Sequence, residues 1–119
     1  MLSSILAVFI GSGLGGVVRW LLSRWLNGSY PVGTLLANVL GCFLLGAFNA
    51  WLSKYYPNYA TLRLLLVVGF CGGFTTFSTF MNENFMMLRG GQLLLSAGYA
   101  ALSLAVGLLA VWGGNKLFS

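Results

Sequence analysis

The residues of this chain that could do chemistry are few, and nearly all of them are uncharged. One carboxylate, Glu83, stands against six single cations, Arg19, Arg24, Lys54, Arg63, Arg89 and Lys116, and there is no histidine. A carboxylate pair, an imidazole base and a histidine-based metal centre are all excluded, and no serine has a base to activate it. Cys42 and Cys71 lie inside apolar stretches without a ligand cluster and read as small buried side chains. No catalytic residue is expected, and the chain is not read as an enzyme.

What remains is polar but neutral. Asn38 sits mid-stretch with Thr34 one turn earlier, and Gly72-Gly73 is followed closely by Thr75-Thr76-Phe77-Ser78-Thr79-Phe80. Ser96, Tyr99 and Ser103 fall at i, i+3 and i+7, a hydroxyl stripe along one helix face. Polar groups within apolar spans are costly and mark function by default. An amide supplies two N–H donors. Phe77 and Phe80, three apart, share a helix face, and an aromatic ring is electropositive at its edge. Together these groups could line an anion path that carries no fixed charge. Each also has a plainer reading. Membrane phenylalanines usually pack, Asn38 could make an interhelical hydrogen bond worth about 0.6 kcal/mol, and serines often bond back to their own helix. Arg19 could snorkel to the interface, pair with Glu83, or attract anions at a vestibule.

These groups must be held by helices that face lipid. Apolar residues make up 59% of the 119 and charged residues 6%, with mean hydropathy +0.91. A soluble surface needs about 25% charge. A span takes roughly 20 apolar residues, so the chain holds about four and leaves no room for a second domain. It reads as one four-helix transmembrane domain, residues 1–119. The spans are expected at about Leu2–Leu26, Val32–Ser53, Thr61–Leu88 and Gln92–Trp112. Asn27-Gly28-Ser29-Tyr30-Pro31 is a turn cluster, and Tyr55, Tyr56 and Tyr59 form an interfacial belt. The first stretch lacks the basic flank and cleavage site of a signal peptide.

The adjacent glycines Gly72 and Gly73, flanked by Thr75 and Thr76, mark a break in the third span. Non-helical backbone at membrane depth survives only when buried in protein or lining a cavity, and its freed groups can meet ions. Gly11 and Gly15, and Gly41 with Gly46, supply small faces for close helix packing. Gly11-Ser12-Gly13-Leu14-Gly15-Gly16 spells the dinucleotide fingerprint but lacks the strand and the later acid that the fingerprint requires. The net charge of +5 comes from scattered residues, so there is no nucleic-acid patch. Four spans place Lys54, Arg63 and Lys116 on one side and Arg19, Arg24 and Arg89 on the other. This balance gives the positive-inside rule no preference, so opposed copies could insert and pair.

The long motif Gly69-Phe70-Cys71-Gly72-Gly73-Phe74-Thr75-Thr76-Phe77-Ser78-Thr79-Phe80 resembles the CrcB/Fluc family of fluoride channels, as do Gly15-x3-Arg19-Trp20 and Gly33-Thr34-Leu35-x2-Asn38. The similarity covers essentially the whole chain. It implies an all-α protein of four transmembrane helices with the third broken mid-membrane, assembled as an antiparallel dual-topology homodimer in the inner (plasma) membrane. It implies a structural sodium ion on the backbone carbonyls of Gly72 and Thr75. Phe77 and Phe80 would line the fluoride path with Ser78 and Thr79, Asn38 would donate to the ion, Tyr99 and Ser103 would flank it, and Arg19 would sit at the vestibule. The implied activity is passive fluoride export. Fluoride is small and strongly hydrated, so its path must replace water with donors that still release the ion.

Three rival readings stand beside this one. A small multidrug-resistance-type exporter coupled to protons needs a mid-membrane carboxylate in the first span, which has none. A proton-coupled fluoride exporter could use only Glu83. A regulatory membrane subunit would carry no ion flux.

Overall fold

With no water at membrane depth, a span must satisfy its own backbone, and four apolar stretches accordingly become four membrane-length helical spans. A computed structural model describes residues 1–119. Helix α1 covers Leu2–Leu26 and α2 covers Val32–Tyr55. The third span, Ala60–Arg89, is made of pieces. They are α3 (Ala60–Arg63), a π-helical stretch (Leu64–Cys71), α4 (Gly72–Phe74) and α5 (Ser78–Arg89). Helix α6 covers Leu93–Phe118. The chain is a multi-pass membrane protein.

Two ends differ from the sequence expectation. Helix α6 runs past Trp112, because Gly113 and Gly114 continue the helix instead of ending it. Gly114 is needed there, since a Cβ would strike the Phe43 carbonyl of α2. The break in the third span also lies later than the glycine pair. Gly72 and Gly73 are helical, and the chain turns extended at Thr75 (φ −86°, ψ 157°). Gly73 is small because it presses on the Ser12 backbone of α1, not because the helix ends at it.

Close approach through small residues makes two tight helix pairs. Gly11 and Gly15 of α1 lie against the Leu65 and Phe70 carbonyls of the third span. Gly46 of α2 meets the Val111 carbonyl of α6. Dispersion contact between backbones replaces the hydrophobic drive that lipid removes. Gly46→Ala should therefore cost about 1–3 kcal/mol by overpacking. Gly113→Ala, where an added Cβ meets nothing within 4 Å, should stay within about 0.5 kcal/mol of wild type. Thermal unfolding in detergent compares the two; equal melting would show that the α2–α6 seam is loose.

Only 21 of 119 residues are buried within the chain, and large apolar side chains such as Phe9, Leu94 and Leu108 point outward. Such a surface suits lipid or a second copy. At the helix ends Arg24 lies over Trp20, Lys54 over Tyr55 and Lys116 over Trp112, with cation-to-ring distances of 5.4, 5.5 and 5.9 Å. These pairs match amphipathic anchoring at the interface.

Candidate functional site

The interruption at Thr75–Phe77 leaves backbone groups that no helix can satisfy, and neighbouring side chains take them up. Asn38 of α2 faces Thr76 with both ends of its amide. Its Oδ1 accepts from the Thr76 N–H at 2.8 Å, and its Nδ2 donates to the Thr76 carbonyl at 3.3 Å. One Nδ2 hydrogen is left over, since the amide carries two. The Thr76 hydroxyl accepts from the Thr79 N–H at 3.2 Å and so caps the start of α5. The Thr75 hydroxyl donates back to the Cys71 carbonyl at 2.9 Å, closing the end of α4. Gly41 makes room for the Thr75 methyl, which a Cβ would strike.

Arg19 supports the break from the α1 side. Its Nε donates to the Gly73 carbonyl at 3.2 Å. Of the alternatives open in the sequence, pairing with Glu83 does not occur. The guanidinium instead sits at the carbonyl end of α4, where a positive charge is favoured.

Beside the break a groove of ≈ 420 Å³ opens to the outside of the chain. Its wall includes Asn38, Phe77, Phe80 and Ser103 together with Gly72 and Thr75. Phe77 is 73% exposed, while Phe80 is 8% exposed. Their ring centroids lie 6.5 Å apart at 48°. Phe80 also meets Tyr99 edge to face at 5.1 Å, which fixes the inner ring. The Ser103 hydroxyl is buried without a hydrogen-bond partner. Buried polar groups without a partner are rare, and Ser103 is the one such side chain in the structure. No carboxylate lines this groove.

The other candidate residues fall elsewhere. Ser78 and Thr79 begin α5 but do not line the groove. The hydroxyl stripe of α6 does not act as one track. Ser96 donates to Asn84 Oδ1 at 2.8 Å, Tyr99 donates to Glu83 Oε1 at 2.8 Å, and Ser103 alone faces the groove. Glu83 Oε2 accepts from Thr34 Oγ1 at 2.6 Å and from Asn27 Nδ2 at 3.3 Å. A half-buried carboxylate thus meets three neutral donors and no cation, an arrangement that holds α2, α5 and α6 together.

Two polar residues escaped sequence reasoning. Asn27 looks like a turn residue, yet its Oδ1 accepts from the Gly33 and Thr34 N–H groups at 2.6 and 3.2 Å and so caps α2. Asn84 is buried, and its Nδ2 donates to the Phe80 carbonyl at 2.8 Å. Its polarity within a span was the available signal.

Residues 6–115 match the model of a family described as CrcB-like protein, Camphor Resistance (CrcB). A protein of Flavobacterium psychrophilum named "Fluoride-specific ion channel FluC" is 37% identical over 117 residues, covering 95% of this chain and 94% of the relative. One of the same name from Escherichia coli is 46% identical over 112 residues, 92% of this chain and 85% of the relative. Another from Serratia proteamaculans is 44% identical over 123 residues, 94% of this chain and 97% of the relative.

Proposed function

This chain belongs to the CrcB-like family, and on that premise we propose that it is a fluoride-selective channel that lets fluoride leave the cytoplasm passively and so lowers its concentration there. Its relatives are named ion channels, not enzymes. The observation that carries the proposal is the groove beside the interrupted helix, walled by Asn38, Phe77, Phe80 and Ser103 without a carboxylate. A spare amide N–H, an unpartnered hydroxyl and two ring edges stand in for the hydration shell of a small anion. None carries a net charge that would trap it. Ser78, Thr79 and Tyr99 back the wall, and Arg19 adds positive potential at the mouth.

The working unit is an antiparallel pair in the inner (plasma) membrane. Gly72, Phe77 and Ser78 are exposed on the isolated chain, at the point where its backbone is irregular. Lipid cannot satisfy such backbone, whereas a second copy laid across the groove can. The three-against-three charge balance lets the two copies insert in opposite senses. A reporter fused to the C-terminus should signal from both sides of the membrane; signal from one side alone would remove the antiparallel pair.

A structural sodium ion fits the donor set. Gly72 and Thr75 both line the groove in the last turn of the helical run Ala60–Phe74 and just past it, where half-helix dipoles favour cations. Arg19 occupies the neighbouring Gly73 carbonyl and leaves these two free of its guanidinium. Bound there, sodium would supply a fixed positive charge that braces the pair.

Protein reconstituted into fluoride-loaded liposomes should release fluoride to an electrode without any proton gradient. Efflux that requires a gradient would favour a coupled exporter, in which only Glu83 could carry the proton. Efflux unchanged after exhaustive sodium removal would strike sodium from the account.

A further inference from the structure

Arg63, in the first turn of the third span, is gripped by two side chains of α2, and the proposed path uses none of the three. Its guanidinium donates to Asn49 Oδ1 at 2.7 Å and to Ser53 Oγ at 3.1 Å. Asn49 and Ser53 stand four apart, on one face of α2. Both acceptors are neutral, so they orient the guanidinium without discharging it. They take two of its five N–H groups and leave three. Arg63 itself is half-buried.

No acidic side chain of the protein is free to meet that charge. Glu83, the only one, lies toward the other end of the same span and is engaged by Thr34, Asn27 and Tyr99. An antiparallel second copy would bring its own Glu83 to this side with the same three partners, and so adds no free counter-ion. Lys54 and Lys116 only add positive charge at this end. A charge withdrawn from water calls for an anion facing it, and that anion must come from outside the chain. The interface supplies one. Tyr56 and Tyr59, which pack ring to ring at 5.3 Å just before Arg63, mark the headgroup level. Leu64, the next residue, lines an open apolar trough of ≈ 420 Å³ with Ile5, Val8 and Phe9 of α1. Beside the cation there is thus a seat for an acyl chain, which a free phosphate would not use.

We propose that Arg63, set by Asn49 and Ser53, binds the phosphate of one anionic phospholipid per chain. A planar guanidinium matches phosphate oxygens through paired, charge-assisted N–H bonds. A headgroup of the phosphatidylglycerol type, with no ammonium of its own, suits an end that carries Lys54, Arg63 and Lys116 and no acidic side chain. Phosphatidylcholine, whose ammonium those cations repel, suits it less. Arg63 is not part of the groove wall beside the helix break, so the site stands or falls apart from the channel reading.

The test uses the purified full-length chain in detergent, given phosphatidylglycerol or phosphatidylcholine, with lipid retention read by native mass spectrometry. The wild type should keep one phosphatidylglycerol per chain and release phosphatidylcholine. Arg63→Gln should weaken that retention about fivefold or more, the worth of one basic residue at an anionic membrane surface. Asn49→Asp is the sharper variant, because it keeps the acceptor for Arg63 and adds the missing counter-charge. It should melt no earlier than wild type and yet lose the lipid to the same degree. Lys54→Ala removes an equal charge from the same end, but one that lies over its own neighbour Tyr55; it should retain the lipid. Inorganic phosphate at millimolar concentration should not displace it. Equal retention of the two lipids, wild-type retention by Asn49→Asp, an equal loss in Lys54→Ala or displacement by inorganic phosphate would each overturn the site. Retention is read without any ion flux, so its failure and the failure of the channel reading are told apart.

Discussion

Phe77→Ala should cut fluoride efflux at least about tenfold, equivalent to roughly 1.4 kcal/mol on the barrier, while leaving the fold and the assembled pair intact. The ring is 73% exposed on the isolated chain, so its removal takes little from the chain's own packing. What it removes is a ring in the groove wall, whose electropositive edge the proposed function assigns to the ion. Phe80→Ala should abolish flux as completely but for two mixed reasons. Phe80 is 8% exposed, clusters with Met87 and Tyr99, and meets Tyr99 edge to face. Its truncation should also cost about 3–5 kcal/mol of stability. Phe77 is therefore the cleaner probe. Electrode-recorded efflux beside a size-exclusion profile checks both, and full-speed transport by Phe77→Ala would end its assignment to the path.

Asn38→Asp should lower efflux at neutral pH by a larger factor. Aspartate keeps the acceptor for the Thr76 N–H but loses the amide donors, one of which reaches the Thr76 carbonyl. It also sets a negative charge in the groove wall. Two unit charges 4 Å apart repel by about 4 kcal/mol at an effective dielectric near 20, which on a barrier is roughly a thousandfold. Asn38→Leu separates the roles of this side chain. It leaves the Thr76 N–H and carbonyl without partners, at about 1–3 kcal/mol each, so the break itself should loosen and the chain should melt earlier. An Asn38→Asp variant that conducts as fast as wild type, in protein of normal melting temperature, would show that Asn38 serves only the helix break.

The four spans were legible because hydropathy accumulates over some twenty residues and few alternatives bury so many apolar groups. Their ends were less so. Gly113 and Gly114 resemble a terminator, yet α6 passes through them because Gly114 makes a backbone contact with α2 that sequence does not display. The same ambiguity moved the break. Gly72 and Gly73 signalled an interruption, and one exists, but its position is set by Asn38 reaching Thr76 from another helix. The π-helical stretch Leu64–Cys71 had no sequence signal at all.

At the site, residue types were readable and their partners were not. Asn38, Phe77, Phe80 and Ser103 were singled out as polar or aromatic groups within spans, and they line one groove. The α6 hydroxyls share a helix face, yet Ser96 and Tyr99 bond two adjacent residues of α5, Asn84 and Glu83, while Ser103 lines the groove without a partner. Asn27 was hidden for the opposite reason. A turn asparagine is common, and only the folded chain brings it to both the start of α2 and Glu83.

Selectivity decides the matter. Liposomes loaded with equal fluoride and chloride, given the reconstituted protein and an ionophore to balance charge, should release fluoride and retain chloride. Matching release of both anions would contradict a path that works by replacing the water around the smallest halide.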